Sequence, residues 1–333
     1  MFLLPHTIET FLNRSQPLEQ IYIGFSGGID SHVLLHLCAG INLVKHKITA
    51  VYVHHGLQQQ AECWAVHCQS TAESLGVRFL KIIVNAKARK GESREEAARN
   101  ARYQAFQSLI GDNDALLIAQ HREDQMETVL LQMIRGSGVR GLSGMPEQAA
   151  FGKGKLLRPL LHVSKLSIIE YAKKHNLYWV EDPSNQEQDF DRNYLRHEIL
   201  PKLKLRWPSV DSTFARSAKH CADAQQLVSE LLEELFTSVY DPEDKTLSLS
   251  ALVTLPSTRR NWLLRRWFEI LGLKPPSHAL LETIVDQAIY ARIDANPEIR
   301  TQRHCIRRYQ NKLFCIPSQR LSNAFISCSW PTD

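Results

Sequence analysis

The sequence predicts an α/β protein with a first domain built on a parallel β-sheet and a second, smaller domain that is mostly α-helical. Three observations support this fold class. An apolar run at 21–24 leads through two adjacent glycines into a helical pattern. Strand-like and helix-like segments then alternate along the chain, as a parallel sheet with crossover helices requires. The 333 residues, 44% of them hydrophobic, can fill more than one core without metals or disulfides.

The segment after the first predicted strand has the composition of a phosphate-binding turn. Ile21-Tyr-Ile-Gly-Phe25 is followed by Ser26-Gly-Gly28, and a helical pattern begins near Ser31. Glycines leave backbone N–H groups unobstructed, and the N-terminus of a helix attracts anions. The segment is neither a Walker loop, which ends Gly-Lys-Ser/Thr, nor a G-x-G-x-x-G dinucleotide loop. The alternative is an ordinary glycine turn closed by an Asp or Ser helix cap.

The next elements extend the predicted sheet. We predict strands at 48–53, 77–84 and 115–119, and helices at 61–75, 93–110 and 124–134. Ser93-Arg-Glu-Glu96 is a capping box that marks one helix start. Ligands bind at the carboxyl ends of parallel strands. Polar residues follow two of the predicted strands at this edge, namely His54-His-Gly56 and Gln120–Asp124.

The domain organisation follows from the regularity of these patterns. Residues from about 140 to 205 form a less regular extension of the first domain, and a helical pattern from about Ser212 to Phe236 connects it to the rest. A β-hairpin is predicted around His304–Ile316. The predicted domains are therefore 1–205, a linking helix at 206–240, and a C-terminal domain at 241–333.

Two pairs of charged residues are spaced for a common helix face. Asp124 and Glu127 lie three residues apart at a predicted helix start, on the face directed toward the nucleotide edge of the sheet, and such a pair can hold a cation. The alternative is that these acids only complement the helix dipole. Arg99 and Arg102 are also three residues apart, and can counter those acids, contact RNA phosphate or form a structural salt bridge.

The charge distribution permits a nucleic-acid partner without requiring one. The net charge is +5, and basic residues cluster in two C-terminal segments. A solvated surface is the alternative explanation of such clusters. The clusters are Arg259, Arg260, Arg265 and Arg266, and then Arg300, Arg303, Arg307, Arg308, Lys312 and Arg320.

Cysteine usage and hydropathy predict a cytoplasmic protein with no membrane partner. The 7 cysteines are scattered and never spaced C-x-x-C, which argues against a disulfide framework, a zinc ribbon and an iron–sulfur cluster. The N-terminus lacks a basic leader, and no run approaches the ~20 apolar residues of a membrane span. His54 and His55 are not expected to hold a metal, because no carboxylate or cysteine lies at ligand spacing nearby.

The combined motifs resemble those of the bacterial tRNA(Ile)-lysidine synthetase family, within the pyrophosphate-loop ATPase superfamily. The matching segment runs from Phe25 to Arg196, and the segment after it is similar to the first C-terminal domain of that family. The motifs are Phe25-Ser-Gly-Gly-Ile-Asp-Ser31, Val53-His-His-Gly-Leu57, Arg99-Asn-Ala-Arg-Tyr103, His121-Arg-Glu-Asp-Gln-Met-Glu-Thr128, Arg135-Gly-Ser-Gly138, Arg158-Pro-Leu160, Glu181-Asp-Pro-Ser-Asn185 and Asp191-Arg-Asn-Tyr-Leu-Arg196.

Two departures from the family pattern are visible. The family usually reads His-x-Asp-Asp at the carboxylate helix, whereas this chain has Glu123 before Asp124, which keeps the charge and lengthens one side chain. The sequence stops about where a second C-terminal domain would begin, so we expect that domain to be absent.

The resemblance implies a Rossmann-like fold and an ATP-dependent reaction. Lysine is joined to carbon 2 of the wobble cytidine in the CAU anticodon of tRNA(Ile), AMP and pyrophosphate are released, and decoding changes from AUG to AUA. The implied cofactors are ATP and Mg²⁺, the implied partners are this tRNA and free lysine, and the resemblance allows a homodimer.

The resemblance also implies roles for individual residues. Asp30 would hold the magnesium ion, and Asp30, Asp124, Glu127 and Arg99 would be catalytic. Asp124, Glu127, Arg102 and Arg196 would bind the lysine or tRNA substrate. The ATP contacts would be Ser26, Gly27, Gly28, Ile29, Asp30, Ser31 and His54.

Two other classes of function are compatible with parts of the sequence. Another pyrophosphate-loop enzyme, such as a tRNA sulfurtransferase or a synthetase that amidates GMP or NAD precursors, would share the loop. Sulfur transfer normally uses paired or catalytic cysteines, however, and the chain has no C-x-x-C. An ATP-sensing RNA-binding module would bind ATP and tRNA and never release AMP.

Overall fold

The computed structural model describes residues 4–15, 17–56, 60–87, 93–181, 183, 191–292, 295–301 and 304–317. The chain divides into two compact units, Met1–Gln225 and Gln226–Asp333. This division lies within one long helix, Val210–Val239, so the helical pattern predicted from about Ser212 to Phe236 is confirmed. The predicted domain limits at residues 205 and 241 stay a prediction.

A six-stranded sheet forms the first unit, in the order β3-β2-β1-β4-β6-β5. All its neighbours pair in parallel except β5, which lies antiparallel to β6 at one edge. This arrangement confirms the predicted parallel-sheet fold. The strands are β1 (Ile21–Gly24), β2 (Ile48–His54), β3 (Arg78–Ile83), β4 (Ala115–Leu117), β5 (Gln148–Phe151) and β6 (Gly154–Leu157).

Helices connect these strands and cover the sheet. The start of α5 is confirmed by its cap, because the Ser93 hydroxyl accepts a hydrogen bond from the Glu96 N–H at 3.1 Å. A π-helical segment, Leu195–Ile199, joins α9 to α10. The helices are α1 (Leu4–Arg14), α2 (Ile29–Ala39), α3 (Asn42–Lys45), α4 (Ala61–Ser74), α5 (Arg94–Gln107), α6 (Arg122–Ile134), α7 (Val139–Leu142), α8 (Lys165–Lys174), α9 (Asp191–Tyr194), α10 (Leu200–Arg206) and α11 (Val210–Val239).

The sheet has an apolar core on each face. One core contains Leu34 and Leu35 of α2 packed with Ile21 and Ile23 of β1. The other contains Phe106 of α5 with residues of β2, β4 and β6. Burial on both faces explains why β1, β2 and β4 are continuous apolar runs in the sequence.

The strand order reverses beside β1, and this reversal positions the candidate site. The chain moves from β1 outward to β2 and β3, and then returns to place β4 on the other side of β1. The segments that follow β1 and β4 therefore leave the sheet next to each other, at the edge where ligands bind in such folds. These segments contain the glycine turn and the start of α6.

The region after residue 140 is more regular than the sequence indicated. β5 and β6 form a hairpin whose turn contains Gly152 with φ +59°, and β6 extends the sheet by pairing with β4. The expectation of a less regular extension was wrong here. Each strand has only four residues, which is too short for a clear alternating pattern.

The second unit combines a five-stranded antiparallel sheet with helices, in the order β7-β8-β11-β10-β9. The predicted hairpin is confirmed by β10 and β11, whose pairing runs from His304↔Pro317 to Tyr309↔Lys312. Trp267 is fully buried in the core of this unit. Its elements are β7 (Tyr240–Asp241), β8 (Thr246–Ser248), α12 (Leu249–Thr254), α13 (Ser257–Ile270), α14 (His278–Ile284), a π-helical segment (Val285–Ile289), β9 (Glu298–Arg300), β10 (His304–Tyr309) and β11 (Lys312–Pro317).

None of the helices in the described ranges combines the length and the apolar character that crossing a membrane requires.

Candidate active site

The turn between β1 and α2 is braced by its two serines. The Ser26 N–H donates to Ser31 Oγ at 3.2 Å, and Ser31 Oγ donates to the Gly28 carbonyl at 2.9 Å. The two hydroxyl oxygens lie 3.2 Å apart. Gly28 is the N-cap of α2, so the positive end of the helix dipole faces the turn. The geometry is that of an anion-binding loop at a helix N-terminus.

Gly27 occupies a position that only glycine fits well. Its φ is +81°, in the left-handed region, and a Cβ added there would lie 3.0 Å from Cys68 Sγ of α4. The Gly27 carbonyl accepts a hydrogen bond from the Val180 N–H at 3.0 Å. The shape of the loop is therefore fixed by its own hydroxyls, by α4 below it and by a distant segment of the chain.

Asp30 links the loop to the end of β4. It lies in the first turn of α2, and its Oδ1 accepts a hydrogen bond from Lys165 Nζ at 2.5 Å. The same oxygen is 3.8 Å from His121 Nε2, at the start of α6. The structure thus brings together the two chain segments that the sequence placed after β1 and β4.

The imidazole of His121 lies among three carboxylates. Its Nε2 is 3.5 Å from Asp124 Oδ2 and near Asp30, and its Nδ1 is 3.2 Å from Glu123 Oε2. Burial alone would lower the pKa of His121, but Asp124, Glu123 and Asp30 outweigh burial and raise this pKa. The site therefore favours a positively charged imidazolium beside the loop.

Asp124 and Glu127 share one guanidinium. Arg196 donates from Nε to Glu127 Oε1 at 2.7 Å, and from Nη2 to Glu127 Oε2 at 2.8 Å and to Asp124 Oδ1 at 3.0 Å. Arg192 Nε is 3.3 Å from Glu127 Oε2. The two acids therefore face the same cation, as their spacing predicted.

The two acids differ in accessibility. Glu127 is completely buried, whereas the side chain of Asp124 is 16% exposed. Burial raises the pKa of Glu127, against the opposing effect of Arg196. Asp124 is therefore partly open to solvent, whereas Glu127 lies behind its arginines.

Glu123 makes contacts in three directions. Its Oε2 accepts the backbone N–H of Lys165 at 2.9 Å, and its Oε1 accepts Lys204 Nζ at 2.7 Å. The third neighbour is His121. Burial alone would raise the pKa of Glu123, but the contacts with His121 and Lys204 outweigh it and lower this pKa to about 2.

We predict that Glu123 makes the stability of the protein pH-dependent in acid. Its folded-state pKa of about 2 lies below the ordinary 4.5, so the carboxylate stabilises the fold above pH 4.5 and loses this effect as the pH falls toward 2. The upper limit is on the order of 3 kcal/mol. Urea unfolding of the wild type and of Glu123→Gln at several pH values measures it. The stability difference should shrink below pH 4.5, and a pH-independent difference would contradict the prediction; Glu170→Gln, which removes an exposed carboxylate, is the control.

Arg99 and His54 make their described contacts outside this ion-pair network. Arg99 and Arg102 are on α5, and the Arg99 guanidinium lies 4.9 Å over the ring of Tyr103. His54 ends β2, where its Nδ1 accepts the Gly56 N–H at 3.2 Å. Among the described residues, the carboxylates of Asp124 and Glu127 are countered by Arg192 and Arg196 rather than by Arg99.

Five residues of the network were not predicted as site residues: His121, Glu123, Lys165, Arg192 and Lys204. His121 lies in one of the family motifs directly after a strand, so its position was a usable signal. Lys165 follows Ser164, whose hydroxyl caps α8. A helix start near the sheet edge was a weaker indication that Lys165 belongs to the site. The sequence gives no local indication that Lys204 reaches the site.

Some expected motif residues lie outside the described residues, namely Leu57, Asp182, Ser184, Asn185, Arg303 and Arg320. Within the described ranges, no group of three or more His, Cys, Asp or Glu residues could hold a metal ion.

Family comparisons agree with the two-unit architecture. Residues 4–203 match the model of the PP-loop domain, and residues 247–314 match that of the TilS substrate binding domain. The PP-loop match contains the glycine turn and the carboxylate helix. The second match covers most of the C-terminal sheet and its helices.

Curated relatives match nearly the whole chain. A tRNA(Ile)-lysidine synthase from Histophilus somni (strain 2336) is 41% identical over 312 residues, which cover 93% of this chain and 73% of that protein. The Pectobacterium atrosepticum protein of the same name is 42% identical, covering 93% and 70%. The Coxiella burnetii protein is 39% identical, covering 98% and 72%.

A solved structure shares the fold. The U34-tRNA thiolase NcsA from Methanococcus maripaludis, determined with its [4Fe-4S] cluster, superposes with a TM-score of 0.55 at 15% identity. The match covers 65% of this chain and 76% of the thiolase.

Proposed function

Because the chain belongs to the tRNA(Ile)-lysidine synthase family, we propose that it joins lysine to carbon 2 of the wobble cytidine in the CAU anticodon of tRNA(Ile). The chain is an ATP-dependent ligase that forms a carbon–nitrogen bond, and AMP and pyrophosphate are its by-products. The modified anticodon reads AUA instead of AUG. The observation that carries the proposal is the meeting of the phosphate loop with the carboxylate helix, where Asp30 and Asp124 both lie within 3.8 Å of His121.

The first step is attack of the cytidine O2 on the α-phosphorus of ATP, with pyrophosphate as the leaving group. Ser26, Gly27, Gly28, Ile29 and Ser31 form the turn that would bind the phosphates. Negative charge develops on the leaving pyrophosphate, and the N-terminus of α2 is already oriented to stabilise it. Catalysis here depends on preorganised donors, which the serine hydrogen bonds hold in place.

Asp30 is the residue that we propose for Mg²⁺. A carboxylate oxygen at the loop suits this ion, which prefers oxygen ligands and shares them with substrate phosphates. The side chain of Asp30 is 31% exposed, so solvent and ligands reach it. Magnesium would neutralise phosphate charge during pyrophosphate release. Lys165 provides positive charge at the same carboxylate in the structure, and His121 Nε2 lies 3.8 Å from it.

The second step requires a neutral amine. Free lysine carries an ammonium with a pKa of about 10.4, so it must be bound and then lose a proton before its nitrogen can bond to carbon 2. We propose that Asp124 binds this ammonium and accepts its proton, while AMP leaves with the former cytidine oxygen. Glu127 supports Asp124 by holding Arg196. Arg102 and Arg196 remain our candidates for contacts with substrate, and Arg99 for a catalytic phosphate contact.

Sulfur transfer is less well supported. The curated relatives share the lysidine synthase name, whereas the thiolase resembles this chain in fold alone. Burial raises the pKa of the Cys38 and Cys68 thiols to about 12, so these thiols are not nucleophilic near neutral pH. The homodimer and the cytoplasmic location stay predictions.

Mass spectrometry of the anticodon nucleoside tests the proposed function. The protein is incubated with tRNA(Ile) transcript, ATP, magnesium and lysine, and the tRNA is then digested to nucleosides. We expect a cytidine whose mass increases by lysine less one water, and only when ATP and lysine are both present. Unmodified cytidine, or a thiolated cytidine formed with a sulfur donor, would overturn the proposal. An elongator methionine tRNA, which also has a CAU anticodon, measures discrimination.

Most residues of the basic C-terminal clusters are engaged within their own unit. Arg266 pairs with Glu233 at 3.0 Å, Arg307 with Glu298 at 2.9 Å, and Lys312 with Asp241 at 2.7 Å. Arg308 donates to the Ala291 carbonyl at 2.9 Å. Such contacts favour a structural role for these four basic residues. Arg259 is exposed at the start of α13, and no described carboxylate pairs with it.

We predict different effects for Arg259→Ala and Arg308→Ala. Arg259→Ala should weaken tRNA binding and lower the salt dependence by roughly 0.7 to 0.9 log-log units, the value of one phosphate contact. Arg308→Ala should instead lower the melting temperature, because the Ala288 and Ala291 carbonyls lose this donor. Filter binding at several salt concentrations and thermal melts measure both. An unchanged salt slope for Arg259→Ala would assign this arginine to solvated surface.

A further inference from the structure

One carboxylate, that of Glu123, joins three helices of the first unit. Glu123 itself lies in the first turn of α6, Lys165 is the first residue of α8, and Lys204 lies in α10. Glu123 is only 8% exposed. A buried carboxylate with several partners is costly to disturb, because each partner would lose its counter-charge or acceptor.

Two contacts of Glu123, with Lys165 and with His121, connect it to Asp30, because both of these residues also approach Asp30. Glu123 Oε2 contacts the Lys165 N–H at 2.9 Å and His121 Nδ1 at 3.2 Å. Lys165 Nζ reaches Asp30 Oδ1 at 2.5 Å, and His121 Nε2 approaches the same Asp30 oxygen at 3.8 Å. Asp30 therefore has two neighbours that both contact the same oxygen of Glu123, Lys165 through a backbone hydrogen bond and His121 through a close contact without hydrogen-bond geometry.

We propose that Glu123 is a positioning residue for the first chemical step, holding His121 and Lys165 so that Asp30 stays at the mouth of the phosphate loop. This inference rests on the proposed function. Glu123 does not touch the reacting atoms; it acts through its two neighbours. On the lysine-binding side, Arg196 contacts Asp124 and Glu127 directly, whereas Glu123 reaches Asp124 only through His121, whose Nε2 is 3.5 Å from Asp124 Oδ2.

The length of the side chain matters for this role. Oε1 and Oε2 reach Lys204 and Lys165 at 2.7 Å and 2.9 Å, from two different helices. An aspartate at this position is shorter by one methylene, so it cannot keep both contacts without movement of a helix. The glutamate that departs from the usual His-x-Asp-Asp pattern therefore fits the spacing of this particular site.

The test separates the first step from lysine binding. Pyrophosphate release is measured with ATP and tRNA in the absence of lysine, and the KM for lysine is measured in the complete reaction. For Glu123→Gln we expect release to slow 10- to 100-fold, a typical loss for removal of an orienting partner. ATP affinity and the lysine KM should stay within about threefold. Glu123→Asp keeps the charge and should lie between the wild type and Glu123→Gln.

Lys202→Met is the matched control. Lys202 lies on α10 two residues before Lys204, and among the described residues it pairs only with the partly exposed Glu198. Pyrophosphate release by Glu123→Gln at the wild-type rate would overturn the inference. So would equal losses in release rate, ATP affinity and lysine KM accompanied by a lower melting temperature, because a merely structural role gives that pattern. If the wild type releases no pyrophosphate even in the complete reaction with lysine, the proposed function and this inference both fall.

Discussion

Gly27→Val should abolish ATP binding and leave most of the fold intact. The backbone at Gly27 has φ +81°, which a β-branched residue adopts only with strain, and the new Cβ would lie 3.0 Å from Cys68 Sγ. Cys68 is fully buried in the main core, so it cannot easily withdraw. The loop must therefore shift, and its N–H groups no longer point at the phosphates. Calorimetric titration with ATP, beside a thermal melt, measures the effect.

Gly272→Val is the matched control for this prediction. Gly272 has φ +68°, and in the described part of the chain no heavy atom lies within 4 Å of the position that a Cβ would take there. A valine at Gly272 therefore has backbone strain similar to that of a valine at Gly27, but it lacks the steric clash. This residue belongs to the second unit, so we expect a lower melting temperature with unchanged ATP affinity. ATP affinity of Gly27→Val close to that of the wild type would remove the loop from the mechanism.

Asp124→Asn should reduce lysine-dependent product formation by roughly 10²-fold or more, with ATP binding close to that of the wild type. The amide keeps the shape of the side chain but loses the charge that holds an ammonium, and it cannot accept the proton. Asp124 also accepts the His121 N–H at 2.9 Å, and an amide oxygen can preserve this cap. Lysine titrations of turnover, with pyrophosphate release as a second readout, measure the effect.

Two variants help to interpret that result. Asp223→Asn removes an exposed carboxylate that pairs with Lys219 at 3.1 Å, and it should change neither readout. Glu127→Gln should lower stability as well as activity, because Arg192 and Arg196 lose a fully buried partner. If Asp124→Asn left the lysine requirement and the turnover unchanged, Asp124 would serve only the helix dipole.

The sequence was most informative where structure is determined locally. The Ser26–Ser31 turn and the start of α6 follow directly from residue types at fixed spacing, and their meeting follows from the rule for parallel sheets. The hold of Arg196 on Asp124 and Glu127 could not be derived in this way. It joins residues far apart in the chain, and side-chain geometry decides it.

The parts that sequence reasoning missed share a physical cause. Lys165 and Lys204 reach Glu123 across 42 and 81 residues, so no local pattern marks them. The strands of the β5–β6 hairpin are short, and their stability depends on pairing with β4. In the second unit, the predicted hairpin proved to be part of a five-stranded sheet, because β8 and β9 have only three residues each.

The contact between Gly27 and Val180 has a consequence for synthesis of the protein on the ribosome. The loop is made early, but the N–H that holds its carbonyl is added 153 residues later, and Lys204 follows later still. Chains fold from the N-terminus as they emerge. A nascent chain that stops before Val180 can form β1 and α2, yet its loop lacks this brace. Stalled chains of increasing length should therefore gain ATP affinity only after Val180 has left the exit tunnel.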